Sequence, residues 1–156
     1  MKKYEIGLIG LSVMGENLTL NISRNHSIAV YNRTTSKTED FINNKVKQQD
    51  IKGTYKLEEF ISSLAKPRKI MLMIKAGKPV DLVIDSLLPY LEEDDIIIDG
   101  GNSHFKDTDR RLKNLSENKL SIIKKKIISA FQENGFNLIN VIITSEEKLE
   151  EWYNDQ

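Results

Sequence analysis

Two short stretches of this chain hold residue types at spacings that suit the binding of a phosphorylated ligand. The first is Gly10-Leu11-Ser12-Val13-Met14-Gly15, which stands between a β-prone run, Tyr4 to Ile9, and a helical pattern containing Leu18, Leu20 and Ile22. The glycines at 7, 10 and 15 punctuate the end of that run and the start of the helix. In a strand–turn–helix setting Gly10 permits a tight turn and Gly15 lets helix and strand approach closely. The free N–H groups at the helix start then meet an anion with a favourable dipole. Ser12 occupies the place where the dinucleotide fingerprint has its second glycine, so a small side chain stands where backbone would approach phosphate. Taken alone, this degenerate G-x-S-x-x-G is equally a turn that packs a helix on a strand.

The second stretch is Asn32-Arg33-Thr34, directly after another strand-like run, Ile28 to Tyr31. It lies roughly twenty residues beyond the glycine turn, where an NAD site carries an Asp or Glu for the ribose hydroxyls. No carboxylate stands here. Arg33 can pair with a 2′-phosphate through charge-assisted hydrogen bonds, Asn32 and Thr34 can add neutral donors, and Lys37 can add a second positive charge. The constellation reads as selective for NADP, the alternative being ordinary exposed cations on a loop and helix start. Lys75-Ala76-Gly77 and Gly100-Gly101-Asn102 follow two further strand-like runs, at the edge where open parallel sheets bind ligands. Lys75 is otherwise a snorkelling surface lysine, and Asn102 otherwise caps a helix, a role compatible with binding.

The elements that must position these residues alternate. Helical patterns run from Thr34 to Phe41, around Lys56 to Leu64, from Pro79 to Leu91 and near Asp107 to Leu115, with strands at Lys69 to Ile74 and Asp95 to Asp99 and a break at Pro67. The spacing predicts an α/β fold, a Rossmann-like doubly wound parallel sheet. After about Leu120 the texture changes. Ile122, Ile123, Ile127, Ile128 and Phe131 oppose Lys124, Lys125 and Lys126 in an amphipathic helix pattern over Ser121 to Asn134, which Gly135 ends. Asn137 to Ile143 is a strand candidate, and Thr144 with Glu147 makes a capping box for a terminal helix reaching Trp152. The expected organisation is a cofactor-binding domain over residues 1–120, with a helix-strand-helix tail over 121–156 packed on the same domain.

Composition narrows the function class. The 156 residues contain 23 Lys plus Arg against 23 Asp plus Glu, so the overall balance favours neither nucleic acid nor an anionic membrane surface. With no cysteine, disulfides, thiolate chemistry and cysteine-ligated zinc are excluded, and a reducing, cytoplasmic setting is the default. The N-terminal apolar stretch is too brief and glycine-rich for a signal or membrane span. His26 and His104 read as solvated turn histidines with no metal-ligand spacing, and Glu92-Glu93-Asp94-Asp95 as a solvated helix end. No metal site is expected.

The segments IGLIGLSVMGENLTLNIS, VYNRT, KPRKIMLMIKAG and DIIIDGGNSHFKDTDRR resemble, in order and spacing, those of the long-chain 6-phosphogluconate dehydrogenase family over residues 4 to about 115. The resemblance implies that Gly10, Leu11, Ser12, Val13, Met14 and Gly15 hold the pyrophosphate, and that Asn32, Arg33, Thr34 and Lys37 bind the adenosine 2′-phosphate of NADP. It further implies that Ile74, Lys75 and Ala76 line the cofactor, and that Asn102 sits by the nicotinamide and touches the sugar acid. The family oxidises 6-phosphogluconate by hydride transfer to NADP, and loss of carbon dioxide then gives ribulose 5-phosphate. Its glycine-rich SGGEEGA segment, catalytic lysine and glutamate, substrate-phosphate ligands and helical dimerisation domain have no counterpart here, NKLSIIKKKIISAFQENGF standing in place of the first. The expectation is a truncated NADP-binding domain with no catalytic residue of its own, inactive alone, that meets 6-phosphogluconate only weakly and leaves its oligomeric state open. The alternative is a non-enzymatic interaction or regulatory protein that uses the scaffold and the amphipathic tail.

Overall fold

The computed structural model describes residues 2–117 and 140–142, and the chain divides into two compact units, Met1–Ile74 and Lys75–Gln156. In the first unit, β1 (Ile6–Ile9), β2 (Ile28–Tyr31), β3 (Ile51–Thr54) and β4 (Lys69–Leu72) alternate with α1 (Val13–Ile22), α2 (Thr35–Asn44) and α3 (Leu57–Ser63). The strands lie in the order β3-β2-β1-β4 and every pair is parallel, with Leu8 opposite Val30 on one side and Met71 on the other. Consecutive residues Ile28, Ala29 and Val30 are all wholly buried, as a strand covered on both faces requires. Phe41 of α2 and Phe60 of α3 complete the core. This is the Rossmann-like α/β fold that the alternation predicts.

Three boundaries depart from expectation for identifiable reasons. β3 is an added strand, missed because Ile51-Lys52-Gly53-Thr54 is mostly polar; it is specified by pairing with β2 rather than by its own pattern. Gly7 does not punctuate β1 but lies inside it, under Phe60, whose ring would stand 2.5 Å from any Cβ at that position. β4 ends at Leu72, two residues before the expected Ile74, although Met73 N–H still donates to the Ile9 carbonyl at 2.8 Å.

The contact that seats α1 on the sheet is backbone against backbone. Gly10 has φ +108°, and a Cβ there would stand 2.5 Å from the Met73 carbonyl oxygen. Gly15, buried in the first turn of α1, would place a Cβ 2.0 Å from the Gly10 carbonyl oxygen. Both positions therefore require glycine, one for its dihedral angle and one for space.

The second unit contains α4 (Lys78–Leu87), a 3₁₀ turn (Leu88–Tyr90), β5 (Ile96–Asp99), α5 (Phe105–Glu117) and β6 (Asn140–Ile142). Pro89 explains why the expected helix to Leu91 tightens after Leu87: it has no N–H to donate into the helical ladder. β6 falls within the expected tail strand and pairs antiparallel with β5, Ile97 facing Ile142. The expected helices at Ser121 to Asn134 and up to Trp152 lie outside the described residues. In the run Glu92 to Asp95, Glu92 and Glu93 are exposed as expected, but Asp95 is buried and its carboxylate accepts from the Glu92 N–H at 3.0 Å, closing a turn.

A buried guanidinium organises this unit. Arg111 of α5 is 3% exposed and donates from Nε to Asp81 of α4 at 2.6 Å, from Nη1 to Asp99 at the end of β5 and to Ser103, both at 3.4 Å, and from Nη2 to the Gly77 carbonyl at 3.1 Å. Arg110 adds a two-pronged bond to Asp81 at 2.9 and 3.0 Å. Partial burial pushes the Asp81 carboxyl upward, but hydrogen bonds from Arg111 and Arg110 outweigh it and hold the group below its ordinary range.

Two outcomes follow from these contacts. Helix propensity favours alanine over glycine by roughly 0.5–1 kcal/mol, yet Gly15→Ala should lower stability by about 1–3 kcal/mol in a urea titration, because the carbonyl it strikes is backbone and cannot swing away. Because the folded pKa of Asp81 is depressed, its contribution is present above the unfolded value of about 4 and lost as pH falls through the folded value. The stability gap between the parent chain and Asp81→Asn, measured by the same titration, should accordingly narrow between pH 7 and pH 3, whereas a constant gap would contradict the assignment.

Candidate functional site

The start of α1 supplies the first part of the site. Ser12 is its N-cap, with extended backbone (φ −81°, ψ 174°), and its Oγ accepts from the Gly15 N–H at 3.3 Å. A negative φ lets a residue with a side chain stand here without strain, and capping suits that residue being a serine. With the Gly15 N–H taken by Ser12, the N–H groups of Val13 and Met14 are the first-turn donors left without an intrahelical partner. The side chains of Val13 and Met14 are 74% and 57% exposed. Glu16, the acidic residue of this turn, is paired with Lys45 at 2.6 Å, and its hydrogen bond holds the Lys45 ammonium pKa up. A carboxylate that would repel an anion at the helix start is thus locally offset.

The second part follows β2. Asn32 is half-buried; its Oδ1 accepts from the Leu11 N–H at 3.0 Å and its Nδ2 donates to the Thr34 carbonyl at 3.1 Å. Leu11 is itself buried, so its N–H serves the protein rather than lying open. Thr34 stands at the N-cap of α2 with extended backbone, but its hydroxyl makes no capping bond. Arg33, Thr34 and Lys37 are all exposed. No ion pair among the described residues involves Arg33 or Lys37, which leaves two cations facing solvent one helical turn apart.

The remaining candidates are Ile74, the last residue of the first unit, and Lys75, Ala76 and Asn102 of the second. Ile74 is half-buried, with its Cγ2 2.7 Å from the Cβ position of Gly10 in its own unit. Lys75 is exposed, Ala76 is half-buried, and Gly77 (φ +86°) precedes α4. Asp99 shapes the following turn, accepting from the Gly101 N–H at 3.1 Å and the Ser103 hydroxyl at 2.6 Å. Asn102, between those anchors, is exposed. It does not cap α5: His104 does, its Nδ1 accepting from the Lys106 N–H at 3.3 Å while its ring lies 4.6 Å from that of Phe105. Through Arg111, the turns at Gly77 and at Gly100 to Ser103 share one anchor.

The sequence pattern does not single out Asn32 as a bracket, nor Asp99 and Arg111 as the supports of the Asn102 turn. A signal existed for Asp99, since an Asp ahead of Gly-Gly is a natural acceptor for N–H groups two residues on. For Arg111 there was none, because an arginine in a polar helix reads as solvated. Among the described residues no group of three or more His, Asp or Glu side chains could hold a metal, and no helix is long and apolar enough to cross a membrane.

A family model described as the NAD binding domain of 6-phosphogluconate dehydrogenase matches residues 5–151. The NADP(+)-dependent, decarboxylating 6-phosphogluconate dehydrogenase of Bacillus subtilis is 56% identical over 124 residues, covering 79% of this chain and 26% of its own length. The Chlamydia pneumoniae enzyme is 58% identical over 113 residues, 72% of this chain and 24% of its own. Among solved structures, Plasmodium falciparum 6-phosphogluconate dehydrogenase, studied in apo form, with its cofactor NADP+ and with its substrate 6-phosphogluconate, superposes with a TM-score of 0.68 at 48% identity over 72% of this chain and 25% of that one. Mycobacterium tuberculosis 3-hydroxyisobutyrate dehydrogenase, with a TM-score of 0.55 at 16% identity, shares the fold. The chain spans about a quarter of the length of the curated relatives it matches. With the glycine turn, the Asn32-Arg33-Thr34 step and the Asp99-Gly100-Gly101-Asn102 turn in the order that this family model covers, the chain belongs to the family of the NAD-binding domain of 6-phosphogluconate dehydrogenase.

Proposed function

We propose that this chain binds NADP in preference to NAD. The observation that carries the reading is the pair of exposed cations, Arg33 and Lys37, following β2 where an NAD site would carry a carboxylate. A planar guanidinium at that point suits the bidentate recognition of a phosphate dianion. The Val13 and Met14 N–H groups and the dipole of α1 are suited to the pyrophosphate, with Gly10, Leu11, Ser12 and Gly15 shaping the turn. Ile74, Lys75 and Ala76 line the cofactor in this reading, and Asn102 meets the nicotinamide and the sugar acid. Support comes from the relatives, one named for NADP(+) dependence and one solved with NADP+ and with 6-phosphogluconate.

NADP bound there would supply the hydride acceptor for oxidative decarboxylation of 6-phosphogluconate to ribulose 5-phosphate, the reaction of the pentose phosphate pathway. This chain's own residues orient the cofactor and offer Asn102 to the substrate. Proton transfer needs a positioned acid or base, and no described residue stands in such a role. Residues 1–156 are therefore proposed to bind cofactor without turning over, as a cytoplasmic module in which 121–156 extends the same domain. The pairing of β6 with β5 supports that last point.

Hydrogen bonds to charged groups contribute on the order of 1.5–3 kcal/mol, so by calorimetry Arg33→Ala should bind NADP roughly ten- to hundredfold more weakly while NAD changes little. Equal losses for the two cofactors, or no binding of either by the parent chain, would remove the assignment. In the same buffer, adding 6-phosphogluconate and NADP to the parent chain should produce no NADPH absorbance; turnover at enzyme-like rates would overturn the inactive part of the reading.

A further inference from the structure

Asn32 stands in the cofactor reading as one more donor to the 2′-phosphate, but its geometry gives it other work. Its amide plane joins two backbone points: Oδ1 takes the Leu11 N–H at 3.0 Å, and Nδ2 gives to the Thr34 carbonyl at 3.1 Å. Leu11 is the second residue of the glycine turn and lies immediately before the N-cap of α1. The Thr34 carbonyl belongs to the N-cap residue of α2 and also accepts from the Lys37 N–H at 3.1 Å. One side chain therefore ties together the starts of two helices, reaching 21 residues back to Leu11 and 2 residues ahead to Thr34.

The residue type matches this work closely. The bracket needs an acceptor facing an N–H and a donor facing a carbonyl, set a fixed distance apart on a short stem. Asparagine alone meets this condition: aspartate has no donor, leucine neither group, and glutamine reaches too far for the same backbone. The bond to Leu11 is part-buried and Leu11 itself is buried, so that end is shielded from competing water, whereas the bond to the Thr34 carbonyl lies at the surface. Arg33, by contrast, is exposed and its guanidinium has no internal contact among the described residues.

We infer that Asn32 is a positioning residue that fixes the distance between the pyrophosphate turn and the Arg33–Lys37 loop, acting on both nicotinamide cofactors rather than recognising the 2′-phosphate. The inference rests on the dinucleotide reading above for its ligand, but the bracket itself is a property of the free chain. Its loss shifts the turn that NAD and NADP share, so affinity falls for both. Selectivity, set by Arg33, stays.

The test uses the full chain with NADP and NAD as probes, together with hydrogen exchange of the Leu11 amide in the absence of either. Asn32→Ala removes both bonds and should weaken the two cofactors by the same factor, roughly tenfold, while Leu11 exchange accelerates by about the same amount. Asn32→Asp keeps the acceptor for Leu11, loses the donor to Thr34 and adds a charge beside the phosphate loop. Leu11 should stay protected in that variant, with NADP weakened far more than NAD. Loss of NADP affinity alone in Asn32→Ala, with Leu11 exchange unchanged, would make Asn32 a direct phosphate ligand and overturn the inference, as would no change in either measurement. Should Asn32→Ala not fold, Asn32→Asp decides: a Leu11 amide that exchanges freely there contradicts the bracket, and a protected one sustains it. If the parent chain binds neither cofactor, the dinucleotide reading fails, while Leu11 exchange still reports on the bracket.

Discussion

A carbonyl oxygen pressed against a helix is the constraint on which the first unit depends. The Gly10 carbonyl occupies space that any side chain at position 15 would claim, 2.0 Å from the Cβ that glycine lacks. This contact seats α1 close against the end of β1 and points the first-turn donors of α1 out of the turn. Ser12 can then cap Gly15, which leaves the N–H groups of Val13 and Met14 open at the helix start. Because the contact is between main-chain atoms, it offers no rotamer through which strain could be relieved. The turn is rigid before any ligand arrives, and a preorganised set of donors loses little entropy on binding.

Arginine serves two opposite purposes in the two units. Arg33 stands in solvent without an internal partner among the described residues, whereas Arg111 is buried against two carboxylates, a hydroxyl and a carbonyl. Burying a guanidinium is costly unless its donors are met, and here Nε, Nη1 and Nη2 all find acceptors. The Asp99 carboxylate is as buried as Arg111 and draws two further donors from the turn it precedes. The Asn102 turn is thus held by charge complementarity, where the glycine turn is held by shape.

That contrast explains which parts of the molecule were legible in the sequence. β1, β2 and the glycine turn were readable because their signals are local: a short apolar run, a glycine that must take positive φ, a helix start. β3 was not, since Ile51-Lys52-Gly53-Thr54 becomes a strand through its partner β2 and carries little pattern of its own. Asn32 was noticed as a polar residue in a suggestive place, but its two bonds reach 21 and 2 residues away, and only the first reveals the bracket. Arg111 was invisible as an organiser for the same reason, its partners lying 8 to 34 positions upstream. Asp95 was read as solvated because acidic runs usually are, but the neighbouring Glu92 N–H makes its buried side chain an acceptor, whereas His104 is exposed as expected and still accepts from the Lys106 N–H.

Holding one turn by shape and another by charge has a consequence for how each responds to its surroundings. A backbone contact between glycines carries no titratable group, so the contact that shapes the glycine turn is indifferent to pH and to salt. The Arg111 network contains the carboxylates of Asp81 and Asp99, and protonating Asp81 would leave Arg111 and Arg110 facing a neutral group. The exposed pair Arg33 and Lys37 lies between these cases: nothing in the fold depends on its charge, yet any affinity it lends for a dianion is screened by salt over a Debye length of about 10 Å at 0.1 M. In the proposed reading, scaffold and selectivity are physically separable in the first unit, because the glycine contact and the Asn32 bracket are neutral while discrimination would rest on exposed cations. Rising ionic strength would then erode preference between cofactors before it disturbed the turn that both of them use.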